Sequence, residues 1–277
     1  MANMALIQEK GGCAKSTTAQ QIAATYNLAR HGASQLLEQD DQNMHCAFLT
    51  SSAIEAKQVK LGSENRALEA AQELLVSLRK PTVIDLGGNR TCTVMSREMA
   101  ANGLLELQDL IMVPVTNPDI EVMKARNVLE MLDEVAPHVR RTIVIARTYQ
   151  DIRNPADDSI LDGAFRTARS LAQEFRIPRE HILIFPHCDA VWLCRDLGMT
   201  VYEAAMRAPE ALADISKSMR ELALAGRTDE LGSLGELKAA YSKAVEALPL
   251  IQHLHSKIDR IIGVDSAAQP AKAAKAK

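Results

Sequence analysis

Short apolar runs rich in β-branched residues recur along the chain, and longer segments whose apolar residues repeat at helical spacing lie between them. The first kind of run predicts a strand buried on both faces, and the second predicts an amphipathic helix. The predicted strands cover 4–7, 34–39, 82–89, 110–116, 142–148 and 181–186. The predicted helices cover 15–31, 64–79, 92–105, 119–136, 156–175 and a last segment that ends near 225. This alternation predicts an α/β fold: a doubly wound, mostly parallel sheet with helices on both faces.

The end of the chain has a different pattern. Residues 234–262 predict a helical hairpin, or a long helix broken at Pro249, with Leu237, Tyr241, Val245 and Leu248 on one apolar face. The last residues are rich in Ala, Lys and Pro, which is typical of a disordered tail. We therefore expect a main domain over 1–226, a C-terminal helical extension over 227–263 and a disordered tail over 264–277. No element is predicted for 44–63, where no pattern is clear.

The turn between the first strand and the first helix has the composition of a phosphate-binding loop. Residues 9–17 read Glu-Lys-Gly-Gly-Cys-Ala-Lys-Ser-Thr and run directly into the helix. Such a turn directs consecutive amides and a positive helix end at an anion. Lys15 would reach the β- and γ-phosphates, and the Ser16 hydroxyl would hold Mg²⁺. The predicted phosphate contacts are Gly11, Gly12, Cys13, Ala14, Lys15, Ser16 and Thr17. The alternative is a glycine turn whose lysines only face water.

A second lysine precedes the paired glycines. With Lys10, the sequence Lys-Gly-Gly-x-x-Lys-Ser resembles the deviant Walker A box of the ParA/MinD family of P-loop ATPases. The chain departs from the common P-loop pattern at Glu9 and Ala14, where glycine is expected. Glycine is usual at the second position because the loop wraps closely around a phosphate. A Cβ in left-handed backbone there costs on the order of 1 kcal/mol. We expect Ala14 to leave nucleotide binding intact and basal hydrolysis slow.

Two further strand ends carry carboxylates in the same order as in that family. Glu38-Gln39-Asp40-Asp41-Gln42 resembles the family's Asp-x-Asp-Pro-Gln, although a solvated turn is the alternative. Asp85-Leu86-Gly87-Gly88 resembles a Walker B element, in which the carboxylate orients the Mg²⁺ shell and the glycines let the backbone approach the γ-phosphate. In an open parallel sheet these strand ends gather at the carboxyl edge, where ligands bind.

The resemblance implies an ATP hydrolase that uses ATP and Mg²⁺ and forms a homodimer around the nucleotides. Lys10 would cross to the partner's phosphates, and Lys15 would bind those of its own chain. Asp40 would position the attacking water, while Ser16 and Asp85 would serve the metal. Hydrolysis would be slow until an adaptor or other stimulating protein acts, and it would reset a dimer that binds a surface.

Two kinds of surface are known in this family, DNA and membrane. The predicted C-terminal helix lacks the strongly basic face expected of a membrane-surface helix. Basic residues in the C-terminal third favour non-specific duplex DNA, as in plasmid partition or the positioning of another DNA cargo: Arg195, Arg207, Lys217 and Arg220. Because the chain begins at the first strand, we expect no helix-turn-helix module and no site-specific DNA binding. Membrane binding, as in MinD-type members, is the alternative.

Amino-acid composition limits which other classes of function are possible. A net charge of −3 confines any nucleic-acid contact to local patches, and an aromatic content of 3% argues against stacking platforms for single strands. The 5 cysteines include no Cys-x-x-Cys, which fits reduced thiols in a cytoplasmic protein, nucleoid-associated if it is ParA-like. A cluster-binding reductase would need a second cysteine near Cys92, and the next one is Cys188. A nucleotide-binding scaffold with little turnover stays open because of Ala14.

Overall fold

The computed structural model of the chain describes residues 1–39, 45–60, 67–116 and 120–264. Its strands are β1 (Met4–Leu6), β2 (Ser34–Gln39), β3 (Ile54–Gln58), β4 (Thr82–Leu86), β5 (Leu110–Val115), β6 (Arg141–Thr148) and β7 (Leu183–Pro186). They form one sheet in the order β3-β2-β4-β1-β5-β6-β7, and each neighbouring pair is parallel. The predicted parallel α/β sheet is confirmed.

Strand β1 lies at the centre of the sheet, between β4 and β5. The chain first builds outward on one side through β2 and β3, returns to the centre with β4, and then builds the other side with β5, β6 and β7. Where the direction of building reverses, a crevice opens at the carboxyl ends of the strands. The loop after β1 therefore lies at the position where such sheets bind ligands.

Helices cover both faces of the sheet. They are α1 (Lys15–Thr18), α2 (Thr25–His31), α3 (Ala67–Ser77), α4 (Asn89–Ala101), α5 (Ile120–Val135), α6 (Arg166–Glu174), α7 (Asp189–Asp196), α8 (Val201–Leu224) and α9 (Leu231–Ile262). A π-helical segment, Ala19–Ala24, joins α1 to α2 with helical backbone at both junctions. The predicted first helix is thus continuous, and it ends at Gly32 in left-handed backbone with φ 70°.

The alternation of side chains along each strand creates two cores. Met4 and Leu6 of β1 belong to a cluster with the π-helical segment, α2, α7, α8 and α9. Ala5 and Ile7 belong to a second cluster with α3, α4, α5 and α6. Both faces of the strands are therefore buried, which explains the continuous apolar runs in the sequence.

Strand β3 was not predicted, and it forms one edge of the sheet. Ile54 is buried, but the side chains that follow alternate between exposed and half-buried positions. Glu55 pairs with Lys80 at 2.9 Å, and Lys57 pairs with Glu73. Charged side chains on an edge strand discourage pairing with other chains. The same charges leave too few apolar residues for the sequence pattern to reveal the strand.

Helix α6 begins at Arg166, so the prediction that it starts at residue 156 is wrong. The preceding residues form turns that aspartates stabilise. The Asp151 carboxylate accepts a hydrogen bond from the Arg153 amide at 2.9 Å, and the Asp157 carboxylate accepts one from the Ser159 amide at 2.9 Å. Such local side-chain bonds offer the backbone an alternative to the helix.

Helix α3 also differs in which side chains it buries. Ala70, Ala71 and Leu74 are buried, whereas Leu68 and Leu75, which helical spacing places on the same apolar face, are each 49% exposed. The helix packs against the core largely through the small side chains of Ala70 and Ala71, which helical spacing alone does not predict. The predicted start of this helix, at 64–66, lies outside the described residues.

Helix α9 runs without a break through Pro249, so the predicted hairpin or broken helix is wrong. Pro249 is exposed, which leaves water free to bind the carbonyl that loses its amide donor. The predicted apolar face is also rotated, because Val245 is 45% exposed while Ala244 and Ala247 are buried. Further along, Leu250, Ile251, Leu254 and Ile258 join the cluster that covers β1. The boundary at 226 and 227 stays a prediction, and most of the predicted disordered tail lies outside the described residues.

A buried polar cluster ties α9 to α2. Nε2 of His255 lies 3.0 Å from Oγ1 of Thr25. The Tyr26 hydroxyl donates to the Asp259 carboxylate at 2.9 Å, and Arg30 Nε donates to the same oxygen at 3.2 Å. Burial, reinforced by the charge of Arg30, lowers the pKa of His255 to about 3. This histidine is therefore neutral in the folded chain.

Because the folded pKa of His255 lies below its unfolded value, acid should destabilise the protein through this residue. The unfolded chain binds the extra proton below its own pKa of about 6.5, so stability falls as the pH drops from there toward about 3. We expect a contribution of about 2 kcal/mol to the unfolding free energy to be lost between about pH 7.5 and about pH 5. Denaturant unfolding at the two pH values measures it. His255→Gln should lose that part of the pH dependence, whereas His138→Gln, at an exposed position, should keep it. An unchanged pH dependence in His255→Gln would refute this origin.

Candidate functional site: the loop after strand β1

The loop after β1 reaches helix α1 through two residues with left-handed backbone. Gly12 has φ +79°, and Ala14, the residue before the helix, has φ 62° and ψ 25°. The expectation that Ala14 occupies a conformation that favours glycine is confirmed. No side chain caps the start of α1, and Ser16 and Thr17 in its first turn are partly exposed. The first amides of the helix therefore remain open to an anion.

Lys15 lies inside this loop and is only 6% exposed. Its Nζ donates to the carbonyl of Lys10 at 3.0 Å, and the Cys13 thiol donates to the same carbonyl at 3.1 Å. Burial raises the pKa of that thiol, although Lys15 partly opposes the effect. Both donors bind the same carbonyl and so fix the backbone of the loop. The Lys15 ammonium group is thereby held inside the loop.

The end of β4 lies directly against the loop. Asp85 is buried and is in register with Leu6 of β1 and Glu38 of β2. A Cβ on Gly88 would lie 3.2 Å from the Cα of Gly11 and 3.8 Å from the Nζ of Lys15. The glycine that resembles a Walker B residue is therefore needed for a close approach of two backbones. Ser16 and Asp85, the predicted magnesium residues, belong to adjacent elements at this edge.

Asp40, the residue predicted to position water, lies outside the described residues. Its neighbours are defined: the Gly87 amide donates to the Gln39 carbonyl at 2.6 Å. The Glu38 carboxylate accepts the amides of His45 and Cys46, each at 2.9 Å. The Glu38 carboxylate thus binds the backbone at the start of the segment that follows residue 44. The role of Asp40 stays a prediction.

Lys10 makes a contact that no motif indicated. Its Nζ lies 3.1 Å from Oε1 of Glu121 in the first turn of α5. Glu121 is only 3% exposed, and it also accepts hydrogen bonds from the amide and the hydroxyl of Thr116. The lysine predicted to act on a partner's phosphates is therefore paired within its own chain, and its role in trans stays a prediction.

A cleft with about 580 Å³ of empty space opens beside the loop. Ala14 and Thr17 form part of its wall, and Arg195 lies over the ring of Phe48 at 5.3 Å. Arg147 has φ 59° at an irregularity in the pairing of β6 with β7. The other lining residues are Gln20, Gln21, Phe185, Pro186, His187, Cys188, Val191 and Trp192. Apart from Ala14 and Thr17, none of the lining residues was predicted to contact a nucleotide, because the lining comes from four separate segments without a shared motif.

No three side chains of the metal-ligating kinds gather anywhere in the described parts of the chain. Cys92, considered as a possible cluster ligand, is fully buried, and burial raises its pKa to about 11. A thiol in this setting is protonated at neutral pH and packs as a small apolar side chain.

The sequence matches no family model and no curated protein. Solved structures do match. The MinD cell division protein of Aquifex aeolicus matches with a TM-score of 0.52 and 13% identity, over 98% of this chain and 100% of that one. A Cyanothece McdA variant in complex with ATP matches with a TM-score of 0.54 and 11% identity, over 97% and 99%. The MinC:MinD complex of A. aeolicus gives 0.53 and 12%, over 98% and 99%.

The chain has the fold of MinD and McdA. The resemblance of its sequence to the ParA/MinD family is thereby confirmed at the level of the fold. In this fold the loop after β1, the end of β4 and the cleft meet at one edge of the sheet.

Replacing Ala14 by glycine should relieve left-handed strain that an ordinary alanine does not carry. Ala14→Gly should leave the unfolding free energy nearly unchanged, because relief of strain offsets the entropy that glycine loses on folding. Ala239→Gly, at an exposed position inside α9, should lose about 1 kcal/mol. Denaturant unfolding of both variants measures the difference. We also expect Ala14→Gly to bind ATP equally well or more tightly and to hydrolyse it faster. Equal destabilisation of the two variants would contradict strain at Ala14.

Proposed function

We propose that this protein is an ATP-dependent switch that dimerises on ATP, binds duplex DNA without sequence preference and positions a DNA cargo, with hydrolysis as the reset. The observation that best supports a nucleotide site is the left-handed turn at Ala14, which leaves the first amides of α1 without a side-chain cap. Lys15 lies beside these amides, and Gly88 lies close to the loop. The McdA structure with the same fold holds ATP, which agrees with this site.

The residues at the site suit a nucleoside triphosphate with Mg²⁺. Open amides and the buried ammonium of Lys15 match phosphate oxygens, and the Ser16 hydroxyl with the Asp85 carboxylate are the hard oxygen donors that Mg²⁺ prefers. Bound Mg²⁺ would neutralise charge on the phosphates during their transfer. The cleft beside Thr17 has the aromatic lining that suits a nucleobase. Asp40, the next residue in the sequence after β2, is the residue we propose to orient water.

Dimerisation is proposed from the second lysine. Lys10 is 36% exposed at the carboxyl edge, within reach of solvent and hence of a second chain. One structure of this fold is the MinC:MinD complex, and a protein that stimulates the switch or adapts it to its cargo is part of the proposal.

DNA is preferred to membrane because of how α9 packs. Most of its large apolar side chains, including Leu254 and Ile258, lie inside the protein, and Val245 is the exposed exception among the described residues of the helix. In the described residues no helix combines the length and the apolar character needed to cross a bilayer. Of the four basic residues predicted to bind DNA, Arg195 contacts Phe48 and Arg207 donates to a backbone carbonyl. Lys217 and Arg220 are exposed on α8 and are the pair we propose for phosphate contacts.

Lys15→Ala should abolish ATP binding, because it removes the charge closest to the phosphates. We expect affinity to fall by about 100-fold or more. Titration of each variant with ATP and Mg²⁺ by calorimetry measures it. Lys238→Ala, which removes an exposed lysine of α9, is the matched control and should bind as the wild type does. Wild-type affinity in a folded Lys15→Ala protein would place the nucleotide elsewhere.

Binding to duplex DNA should require ATP and should weaken steeply with salt. Each phosphate contact releases counterions, so removing Lys217 and Arg220 together should reduce the salt slope by about two. Fluorescence anisotropy with unrelated duplexes at several salt concentrations measures this. Lys80→Ala, at the amino edge of the sheet, should leave the slope unchanged. ATP-dependent flotation with anionic vesicles, without DNA retention at low salt, would instead favour a MinD-like membrane function.

A further inference from the structure

We propose that Glu121 is a positioning residue that holds Lys10 against its own chain and thereby sets how readily the protein dimerises on ATP. This inference rests on the proposed function, in which Lys10 serves the partner's nucleotide. It concerns the same lysine before the dimer forms.

The carboxylate is fixed in place independently of the lysine. Glu121 lies in the first turn of α5, where the helix dipole favours a negative charge. It accepts hydrogen bonds from the amide of Thr116 and, at 2.9 Å, from its hydroxyl. These bonds connect the end of β5 to the start of α5, and they do not involve Lys10. The carboxylate therefore remains a formed acceptor whether or not the lysine is bound to it.

The lysine, in contrast, can leave without a change in the loop. Its carbonyl is fixed by the Cys13 thiol at 3.1 Å and, before nucleotide binds, also by the Lys15 ammonium at 3.0 Å. Only its side chain extends to Glu121, and that side chain is 36% exposed. A pair in which one partner is this exposed is worth little net energy and opens readily. Rotation of the Lys10 side chain is thus the only movement that release requires.

A second pair lies outside the first. Glu9, which stands where the common P-loop pattern has glycine, approaches Lys124 of α5 with its carboxylate 3.5 Å from Nζ. Both side chains are partly exposed, at 29% for Glu9 and 48% for Lys124, so this pair adds little energy. It lies on the same side of α5 and directs the loop and the helix toward each other. Of the two acidic residues, only Glu121 competes with a partner's phosphate for the Lys10 ammonium.

One ammonium group cannot occupy both positions. While Lys10 is bound to Glu121, it is unavailable to a phosphate of another chain, so only the fraction of molecules with Lys10 released is competent to dimerise. Because both chains of the homodimer must have Lys10 released, the apparent dissociation constant of the dimer is raised by the inverse square of that fraction. Weakening the pair should therefore strengthen dimerisation while leaving nucleotide binding to the single chain unchanged.

The test uses Glu121→Gln in the full chain. Sedimentation velocity with a slowly hydrolysed ATP analogue and Mg²⁺ gives the dimer dissociation constant, which we expect to fall about fivefold relative to the wild type. Affinity for the analogue, measured at protein concentrations where every form is monomeric, should stay within about twofold. Glu134→Gln, the same change at an exposed position of α5, is the matched control and should dimerise like the wild type.

Two further variants keep the test decisive. Glu121→Asp retains the charge beside Thr116 but is too short to reach Lys10, and it replaces Glu121→Gln if that variant does not fold. In a Lys10→Ala background, measured at protein concentrations high enough for the weakened dimer to form, the same change should have no effect on dimerisation, because the lysine that Glu121 holds is gone. A merely structural role for Glu121 would give the same effect with and without Lys10.

Different failures have different meanings. If the wild type dimerises on the analogue but Glu121→Gln and Glu121→Asp dimerise no better, the holding role of Glu121 is wrong and the proposed function stands. If no form dimerises on the analogue, dimerisation in the proposed function is wrong, and this inference falls with it.

Discussion

The left-handed backbone at Ala14 is the constraint on which the site depends. Because Gly12 and Ala14 both have positive φ, the chain turns sharply after β1 and begins α1 with its amides facing the crevice of the sheet. A non-glycine residue keeps this conformation only where its surroundings impose it. Here the Lys10 carbonyl receives two hydrogen bonds, and a Cβ on Gly88 would come within 3.2 Å of the Cα of Gly11. The motif and the end of β4 are therefore one packed unit.

Helices α8 and α9 contact the segment that follows α1 and so support the loop after β1. The π-helical segment between α1 and α2 is buried along its whole length. The Thr25 hydroxyl donates to the carbonyls of Gln21 and Ile22, at 2.7 and 3.1 Å, and the Gln21 side chain accepts the amide of Val201 from α8 at 3.0 Å. His255 of α9 completes the contact with Thr25. Segments of π-helix often occur at functional sites. This one connects the loop after β1 to α8 and α9.

The sequence predicted the parts of this molecule that local chemistry determines. The six apolar strands and the glycine-containing turn between β1 and α1 are examples, because burial on both faces and a turn rich in glycine leave strong patterns. Strand β3 left none, since its outer side carries Glu55 and Lys57. Before Pro249, the buried face of α9 consists of Ala240, Ala244 and Ala247, which spacing cannot distinguish from its flanks. The pairing of Lys10 with Glu121 and the cleft around Arg147 depend on long-range packing, so no local signal predicts them.

A crystal structure with a slowly hydrolysed ATP analogue and Mg²⁺ tests the central claim most directly. We predict that the triphosphate lies along residues 11–17 and that the base lies in the cleft beside Thr17. The Lys15 ammonium should have moved from the Lys10 carbonyl to the phosphates. A nucleotide bound elsewhere, or Lys15 still bonded to the Lys10 carbonyl with a nucleotide present, would contradict it.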